Sequence, residues 1–359
     1  MTTDLKPDFR TGTRIVRIGE ASWSLKLGLL RWSIAGLVAT GVLFLIGLSV
    51  GFTTPVHVAR IILGGGTTAE NIVIFDDVLP RVLVGSLAGF SLALAGCLTQ
   101  IVTRNPLATP DMLGITSGAS AGAVLALTSG STGFGAFFTA LGVPTSALIG
   151  GLFAALLMYA LAWTKGQVIT STLRLILIGV GLTWMMQAVV GYVMTRADVH
   201  DSGTAQKWLV GSLASLGWSS VITVGVAAVI GIGWSMANTR SLAVSSLGPD
   251  IAQGLGVRLG VVTYGTLITA VVVASLAVSV AGPIAFVGLV APQIALRLAH
   301  TAQPTPMFSG LVGAAMVLTA DIVCRTIAPA GLPVGVITAA VGGPFLVLLI
   351  IQSARRSPV

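Results

Sequence analysis

Few charged residues interrupt the apolar runs of this sequence, and two of them stand four positions apart. Asp321 and Arg325 lie in the stretch ADIVCRTIAP. A spacing of four places two side chains on one face of a helix, where opposite charges can neutralise each other. Ionisable groups inside an apolar segment also mark functional sites. Two interpretations stay open: a structural ion pair, or an arginine near the helix end that meets a partner.

Other reactive residue types are not spaced for catalysis or metal binding. His57, His200 and His300 fall in loops or at helix ends, while Cys97 and Cys324 lie in separate apolar runs without metal-ligand spacing. The sequence contains no G-x-x-x-x-G-K-[ST] phosphate-binding loop,. We therefore predict a protein that is not an enzyme and binds no metal or cofactor itself. If the protein's function depends on ATP, partner subunits would bind and hydrolyse it.

Composition indicates that the surroundings of these residues are a lipid bilayer. The chain has 359 residues, of which 55% are hydrophobic and 8% charged, and its mean hydropathy is +0.98. Ordinary globular domains have about 25% charged residues. The net charge of +8 comes from scattered basic residues, which argues against nucleic acid as a partner. The first 30 residues contain no apolar core followed by a small-residue cleavage site, so we do not expect a removed signal peptide.

The hydropathy pattern predicts an all-α polytopic membrane protein with about ten transmembrane helices. A spanning helix needs about 20 apolar residues. The candidate spans cover residues 33–50, 79–101, 112–128, 144–163, 173–193, 219–236, 261–280, 285–298, 307–327 and 334–351. The eighth is short enough to be a re-entrant piece. We expect a basic cytoplasmic segment (1–32), a ten-helix domain (33–353) and a cytoplasmic tail (354–359).

Lysine and arginine positions predict the orientation of these spans. Basic residues collect in cytoplasmic loops. With the N-terminus in the cytoplasm, 14 of the 19 basic residues fall on the inner side and 5 on the outer side. An even number of spans then places both termini in the cytoplasm.

The stretch RNPLATP interrupts the apolar pattern at the inner end of the second span. Pro106 and Pro110 cannot donate backbone hydrogen bonds and break the helix,. Non-helical backbone at membrane depth persists only where protein or water satisfies it. We expect this segment to pack inside the bundle or line a cavity, with a simple tight turn as the alternative.

Glycines at four-residue intervals predict close helix packing. They are Gly85 and Gly89 in the second span and Gly114, Gly118 and Gly122 in the third. Glycine lets helix backbones approach closely in lipid. A faint similarity between SLALAGCLTQIVTRNPLATP and SLAVSVAGPIAFVGLVAP also suggests two halves inverted across the membrane,.

The loop between the sixth and seventh spans, TRSLAVSSLGPDIAQGLGVRLG, is long enough to hold a helix of its own. Ser246 is a possible N-cap, Pro249 suits the first turn, and Asp250 favours the positive end of the helix. Gly254 and Gly256 are possible stops. The loop predicts a short helix along the membrane face, either a connector or a docking element for a cytosolic partner.

Several stretches, taken in order, resemble one family. They are LPRVLVGSLAGFSLALAGCLTQIVTRNPLATPDMLGITSGASAG, LILIGVGLTWMMQAVVGYVMT, WLVGSLASLGW, LGPDIAQGLGVRLG, AGPIAFVGLVAPQIALRLAH, ADIVCRTIAP and LPVGVITAAVGGPFLVLLI. Together they resemble the permease subunits of ABC importers for iron-siderophores, haem and cobalamin. The resemblance covers nearly the whole chain after about residue 33.

The resemblance implies a permease of the bacterial inner membrane that works in a pair, with an identical copy or a paralogue. Two cytosolic ATPases would dock beneath the pair, and a substrate-binding protein would dock from outside. The helix that inserts into an ATPase groove would comprise Leu247, Gly248, Pro249, Asp250, Ile251, Gln253, Gly254 and Leu255. ATP-driven closure of the ATPases would switch access from outside to inside.

It also implies roles for other residues. The fifth span would line the pathway, with Thr170, Ser171 and Thr172 at its cytoplasmic gate, and Arg81 and Arg325 would face acidic residues of the binding protein. The residues that match structural motifs are Arg104, Asn105, Pro106, Pro110, Gly282, Pro283, Pro292 and Asp321. Val78, Gln293 and Gly331 depart from the family pattern, where an arginine, a histidine and an acidic residue are usual.

We therefore expect a transport subunit that carries an iron chelate by alternating access, first of all a ferric siderophore and otherwise haem or cobalamin. The alternative is an ion-coupled secondary transporter, which needs ionisable or ion-coordinating groups near the midplane. Asp321 is the one buried acid that the sequence offers for that role. A passive channel would need a repeated polar filter, and none is apparent.

Overall fold

The computed structural model describes the chain apart from residues 1–12, 19–20, 52–53, 129–132, 163–171, 215, 246, 329–330 and 357–359. The α-helices of the described residues are α1 (Leu27–Ser49), α2 (Pro55–Arg60), α3 (Thr68–Ile72), α4 (Leu79–Thr103), α5 (Ile115–Thr128), α6 (Gly133–Leu141), α7 (Val143–Ala162), α8 (Thr172–Met194), α9 (Val199–Leu209), α10 (Trp218–Ala237), α11 (Thr239–Ser245), α12 (Pro249–Gly254), α13 (Leu259–Ala281), α14 (Val287–Ala299), α15 (Pro306–Thr326) and α16 (Val334–Arg356). A 3-10 turn covers Pro110–Leu113, and π-helical turns cover Ile61–Gly65 and Val73–Val78.

Each of the ten predicted spans corresponds to one helix: α1, α4, α5, α7, α8, α10, α13, α14, α15 and α16. Seven helical segments of the described chain are long and apolar enough to cross a membrane, and α5, α14 and residues 334–349 of α16 form shorter apolar helices. The prediction of a short eighth span is confirmed, because α14 has 13 residues. We name the two membrane faces inner and outer by the predicted orientation.

The ends of the chain differ from the prediction. Helix α1 begins at Leu27 instead of residue 33, and α16 continues to Arg356, past the predicted end at 351. Charged residues near span ends lower the local hydropathy without stopping a helix. The expected basic segment contains a two-stranded antiparallel sheet of β1 (Thr13–Ile18) and β2 (Ala21–Lys26), in which Thr13 pairs with Lys26.

Helix α4 forms the centre of the bundle and packs against α10, α13, α14 and α15. Glycine allows the closest of these contacts, as predicted. A Cβ atom at Gly89 would lie 2.5 Å from the carbonyl oxygen of Gly313 on α15. Between α5 and α7, a Cβ at Gly118 would lie 2.4 Å from the Gly150 oxygen. The backbones of these helices are therefore in direct contact.

Two helices lie at the periphery. Helix α1 packs mainly on α15 and exposes much of its apolar surface, including Leu37 and Leu45. Helix α8 packs on α5 and α7 through a narrow stripe that contains Leu182, Met186 and Val190. Its remaining faces are available to lipid or to another subunit.

The two halves of the bundle share one unusual pattern. A long helix is followed by non-helical backbone and a short helix, first α4 and α5 (25 and 14 residues), then α13 and α14 (23 and 13 residues). The first interruption lies at the inner face and the second at the outer face. This arrangement fits inverted halves, which the two similar sequence stretches suggested.

Candidate functional site

The inner interruption begins where Arg104 ends α4 in the left-handed conformation, with φ 49°. The Asn105 side-chain oxygen accepts a hydrogen bond from the Leu107 amide at 2.9 Å, which closes a turn around Pro106,. Thr109 is buried, and Pro110 opens the 3-10 turn that leads into α5. Ala108, Thr109 and Pro110 are buried in the bundle, whereas Arg104 and Pro106 are exposed in a tight turn at the inner face.

The outer interruption joins three segments through backbone contacts. Gly282 has φ 68°, and a Cβ there would lie 2.5 Å from the Trp208 carbonyl oxygen, so only glycine fits,. The Ser212 amide donates to the Ala281 oxygen at 2.9 Å, and the Gly335 amide donates to the Gly211 oxygen at 3.1 Å. The Gly282–Pro283 break therefore connects the α9–α10 loop with the start of α16.

Pro292 lies inside α14 and cannot donate to the carbonyl of Gly288, four residues earlier,. A Cβ atom at Gly96 of α4 would lie 1.8 Å from this carbonyl oxygen. Because Pro292 leaves the Gly288 carbonyl without its helical hydrogen bond and Gly96 has no side chain, this carbonyl packs directly against the α4 backbone. This contact ties the two interrupted helix pairs to each other.

A pair of buried amides lies beside this crossing. Gln293 Nε2 donates to Gln100 Oε1 at 2.7 Å, and Gln100 Nε2 donates to the Leu289 carbonyl at 3.2 Å. Both glutamines are 4% exposed. Gln293 therefore belongs to the core between α4 and α14, at a position where the family pattern usually has a histidine.

Three charged side chains meet near the outer ends of α4 and α15. Arg81 donates to Asp321 Oδ1 through Nε at 2.9 Å and through Nη2 at 2.8 Å. Arg325 Nη2 lies 3.0 Å from Asp321 Oδ2 and also donates to the Gly47 carbonyl of α1 at 2.7 Å. The predicted contact between Asp321 and Arg325 is confirmed, and Arg81 completes an Arg–Asp–Arg cluster that links three helices.

The exposure of this cluster bears on the predicted docking role of its arginines. The Asp321 side chain is 1% exposed, against 20% for Arg81 and 14% for Arg325. Both guanidinium groups contact Asp321, so only a small part of each arginine side chain is exposed at the outer face. Contact with a binding protein stays a prediction for these two residues.

The predicted inner helix is present as α12, preceded by the unpredicted α11. Gly248, with φ 117°, is the N-cap residue in place of Ser246, which lies outside the described residues. Pro249 occupies the first turn and the helix ends at Gly254, as predicted. Ala252 is fully buried and fixes one face of α12 to the bundle.

Three large apolar side chains are exposed in and beside α12, and we call them the apolar ridge of α12. Leu247, Ile251 and Leu255 are 58%, 54% and 63% exposed. Ile251 lies on the helix, whereas Leu247 precedes the N-cap residue Gly248 and Leu255 is the C-cap residue. Asp250, Gln253 and Gly254 are also exposed. Large apolar side chains grouped on an exposed surface mark an interaction site.

Of the three predicted gate residues, Thr170 and Ser171 lie outside the described residues, and Thr172 is the first residue of α8. Along the rest of α8, Trp184 is 73% exposed and Tyr192 is 60% exposed. An uncharged aromatic and aliphatic face extends along this span.

Sequence reasoning missed the outer elements between α1 and α4. Thr67 and Glu70 form a capping box at the start of α3, and Glu70 Oε1 lies 2.8 Å from His57 Nε2. The T-x-x-E pattern at Thr67 is a signal that could have indicated this helix start. This side-chain contact connects α2 to α3 across the intervening Gly64–Gly66 turn.

This architecture defines a multi-pass membrane permease. The profile of the FecCD transport family matches residues 38–352. The chain is 34% identical over 341 residues to the probable siderophore transport system permease protein YfhA of Bacillus subtilis (strain 168), covering 94% of this chain and 98% of that protein. It therefore belongs to the FecCD transport family.

Two further similarities agree with this membership. The iron(3+)-hydroxamate import system permease protein FhuG of Bacillus subtilis (strain 168) is 33% identical over 318 residues, which cover 87% of this chain and 94% of that protein. A solved structure described as an inward-facing metal-chelate type ABC transporter superposes with a TM-score of 0.76 at 25% identity. The superposition covers 90% of this chain and 99% of that one.

Proposed function

We propose that this chain is the permease subunit of an ABC importer in the inner membrane of a bacterium and that it carries an iron chelate, most specifically a ferric siderophore. The names of its relatives support this cargo, because they are siderophore and iron-hydroxamate permeases. A second permease, two ATPase subunits and an outer binding protein complete the importer. The chain contributes the membrane pathway and no ATPase site.

The observation that carries this proposal is the apolar ridge of α12. An unpartnered ridge of Leu247, Ile251 and Leu255 at the inner face would be costly to leave in water,. A groove of a cytosolic subunit would cover it, as apolar helix faces are covered in other recognition complexes. The buried Ala252 connects α12 rigidly to α13, so movement of the docked subunit would be transmitted to the bundle.

The structure disfavours the ion-coupled alternative. Ion coupling needs an acid that can exchange its cation or proton near the midplane. Asp321 is the one acidic residue in the sequence of the ten spans, and two arginines neutralise it near the outer end of α15. A carboxylate paired with two arginines has a structural role and is not free to exchange a cation or proton.

The pathway would run along α8. Its exposed face, with Trp184 and Tyr192, carries no acid or base between Arg174 and Arg196, so a bulky chelate would meet no fixed charge there. We assign Thr170, Ser171 and Thr172 to the cytoplasmic gate, at the inner end of the same helix. The second permease would supply the other side of the pathway.

The direct test places a charge on the ridge. We expect Ile251→Glu and Leu255→Glu to abolish co-purification of the ATPase and ATP-driven uptake of radiolabelled ferric siderophore, because a carboxylate would be buried in the docking groove without a partner. Gln253→Glu is the matched control, since Gln253 is exposed on the same helix but away from the ridge. Normal ATPase association in both ridge variants would refute the docking role.

A further inference from the structure

Residues 55–78, which we call the outer segment, connect α1 to α4 and belong to none of the ten predicted spans. One side of this segment is buried against the bundle. Its buried side chains form one apolar cluster with Leu48 of α1 and Val82 of α4, and they are Val58, Ile61, Ile74 and Val78. The contact between His57 and Glu70 also holds α2 to α3. The outer segment is therefore fixed in place, and the side chains on its free side stay exposed.

Two large apolar side chains form a patch on the free side of the outer segment. Ile72 is 56% exposed and Phe75 is 36% exposed. They stand three residues apart, a spacing that places them on one side of a helical turn. The buried Ile74 and the exposed Asp76 point in other directions around the same turn. An exposed apolar patch on a rigid segment marks a surface that something covers.

Trp218 shows the depth at which this patch lies. It is the first residue of α10 and is half-exposed, and its Nε1 donates to the Phe75 carbonyl oxygen at 3.0 Å. Tryptophan collects where the hydrocarbon core of a membrane meets water, because its ring is apolar and its N–H needs an acceptor. The hydrogen bond therefore places Phe75 at the outer boundary of the membrane.

The patch also continues a surface of α10 that faces lipid. Exposed apolar side chains follow Trp218 along one face of this 20-residue helix, and they are Ile222, Val226 and Val229,. The opposite face packs on the bundle, since a Cβ atom at Gly231 would lie 2.8 Å from Leu94 of α4. Helix α10 contains no charged residue. Ile72 and Phe75 thus extend an apolar stripe past the end of the span.

We propose that the outer segment is an interfacial anchor, in which Ile72 and Phe75 enter the outer leaflet of the bilayer beside Trp218. The occupant of the patch is membrane phospholipid, because the patch is continuous with the lipid-facing stripe of α10. Asp76 stays on the water side of the anchor. Burial of the two side chains in lipid removes their contact with water. This inference rests on the membrane location of the chain and not on its cargo.

The test measures the surroundings of single nitroxide labels on the full-length protein in proteoliposomes. The labels are attached at Ile72→Cys and Phe75→Cys, and their collisions with lipid-soluble oxygen and with a water-soluble nickel chelate are compared. We expect frequent oxygen collisions and several-fold fewer nickel collisions than at Asp76→Cys, the exposed neighbour on the same turn. Cys97 and Cys324 are buried, and labelling of the unaltered protein measures their background.

Two further labels calibrate the comparison. Ile222→Cys, in the stripe of α10, gives the value for lipid, and Val199→Cys, which is 92% exposed on α9, gives the value for water. Positions 72 and 75 should resemble position 222. Nickel collisions as frequent as at position 199 would overturn the proposal. Protection that appears only when the outer binding protein or a second permease is added would also overturn it, since a protein would then cover the patch.

A second measurement applies if the cysteine variants fail to fold. The photoreactive analogue p-benzoylphenylalanine in place of Phe75 preserves the aromatic side chain. Illumination of the protein in proteoliposomes should give an adduct with the mass of one phospholipid. Adducts with protein chains alone, or none at all, would contradict the lipid contact.

Discussion

At the scale of single residues, the Arg–Asp–Arg cluster decides what the buried acid of this permease can do. Asp321 receives three close contacts from Arg81 and Arg325, which come from different helices. A carboxylate held in this way stabilises the outer ends of α4 and α15 and ties them to α1 through the Gly47 carbonyl. The cluster keeps one net positive charge.

Replacing the central acid should destabilise the protein strongly. We expect Asp321→Asn to lower the free energy of unfolding by about 3 kcal/mol, because it leaves two partly buried arginines without a counter-charge. Thermal unfolding of the purified protein would measure the change. Asp198→Asn, an exposed acid without a side-chain capping bond in α9, should have little effect. Equal melting temperatures for the two variants would contradict the stabilising role of the cluster.

The outer docking role predicted for Arg81 and Arg325 can be measured separately. We expect Arg81→Gln or Arg325→Gln to weaken binding of the outer binding protein by no more than about fivefold, because charge pairs at the surface contribute little. The loss should be larger at low salt than at high salt, since salt screens exposed charges. Lys207→Gln, on the same face, serves as the control. Unchanged affinity at every ionic strength would remove both arginines from the interface.

Local spacing predicted only part of the charged and polar contacts. Asp321 and Arg325 are four residues apart, so a helical pattern brings them together directly. Arg81 and Gln100 meet partners from the second half of the chain, about 240 and 193 residues away. Such contacts depend on how helices pack, which hydropathy does not encode.

At the scale of helices, the crossing of α4 and α14 depends on a single missing side chain. We expect Gly96→Ala to destabilise the protein by about 3 kcal/mol or more, because its Cβ would lie 1.8 Å from the Gly288 carbonyl oxygen,. Gly225→Ala on α10 meets no atom within 4 Å and should be neutral or slightly stabilising,. Yield and melting temperature in detergent would compare the two. Equal values would refute the close packing of α4 against α14.

The long apolar helices could be predicted from sequence because twenty apolar residues in a row have few other stable environments. The short elements could not, since α2, α6, α9 and α11 have too few residues to show a clear period. Helix α12 is the exception, because Pro249 and the flanking glycines mark its ends.

At the scale of the whole molecule, the two interrupted helix pairs lie at the centre and the exposed helices at the edge. Helix α4 packs against α13 and α14, and α5 packs against α13, whereas α8 is attached by one stripe. This arrangement fits a rigid core with a peripheral face for a second permease. The apolar ridge of α12 is connected to this core because α12 packs on α13. Movement of an ATPase docked on the ridge would therefore be transmitted to the core of the permease.

The most direct test of the account is uptake of radiolabelled ferric siderophore by proteoliposomes that contain the complete importer, with ATP and the proton gradient varied independently. We predict uptake that requires ATP hydrolysis, persists when the proton gradient is collapsed, and is lost in Ile251→Glu. Uptake that continues without ATP and stops when the gradient is collapsed would contradict the account.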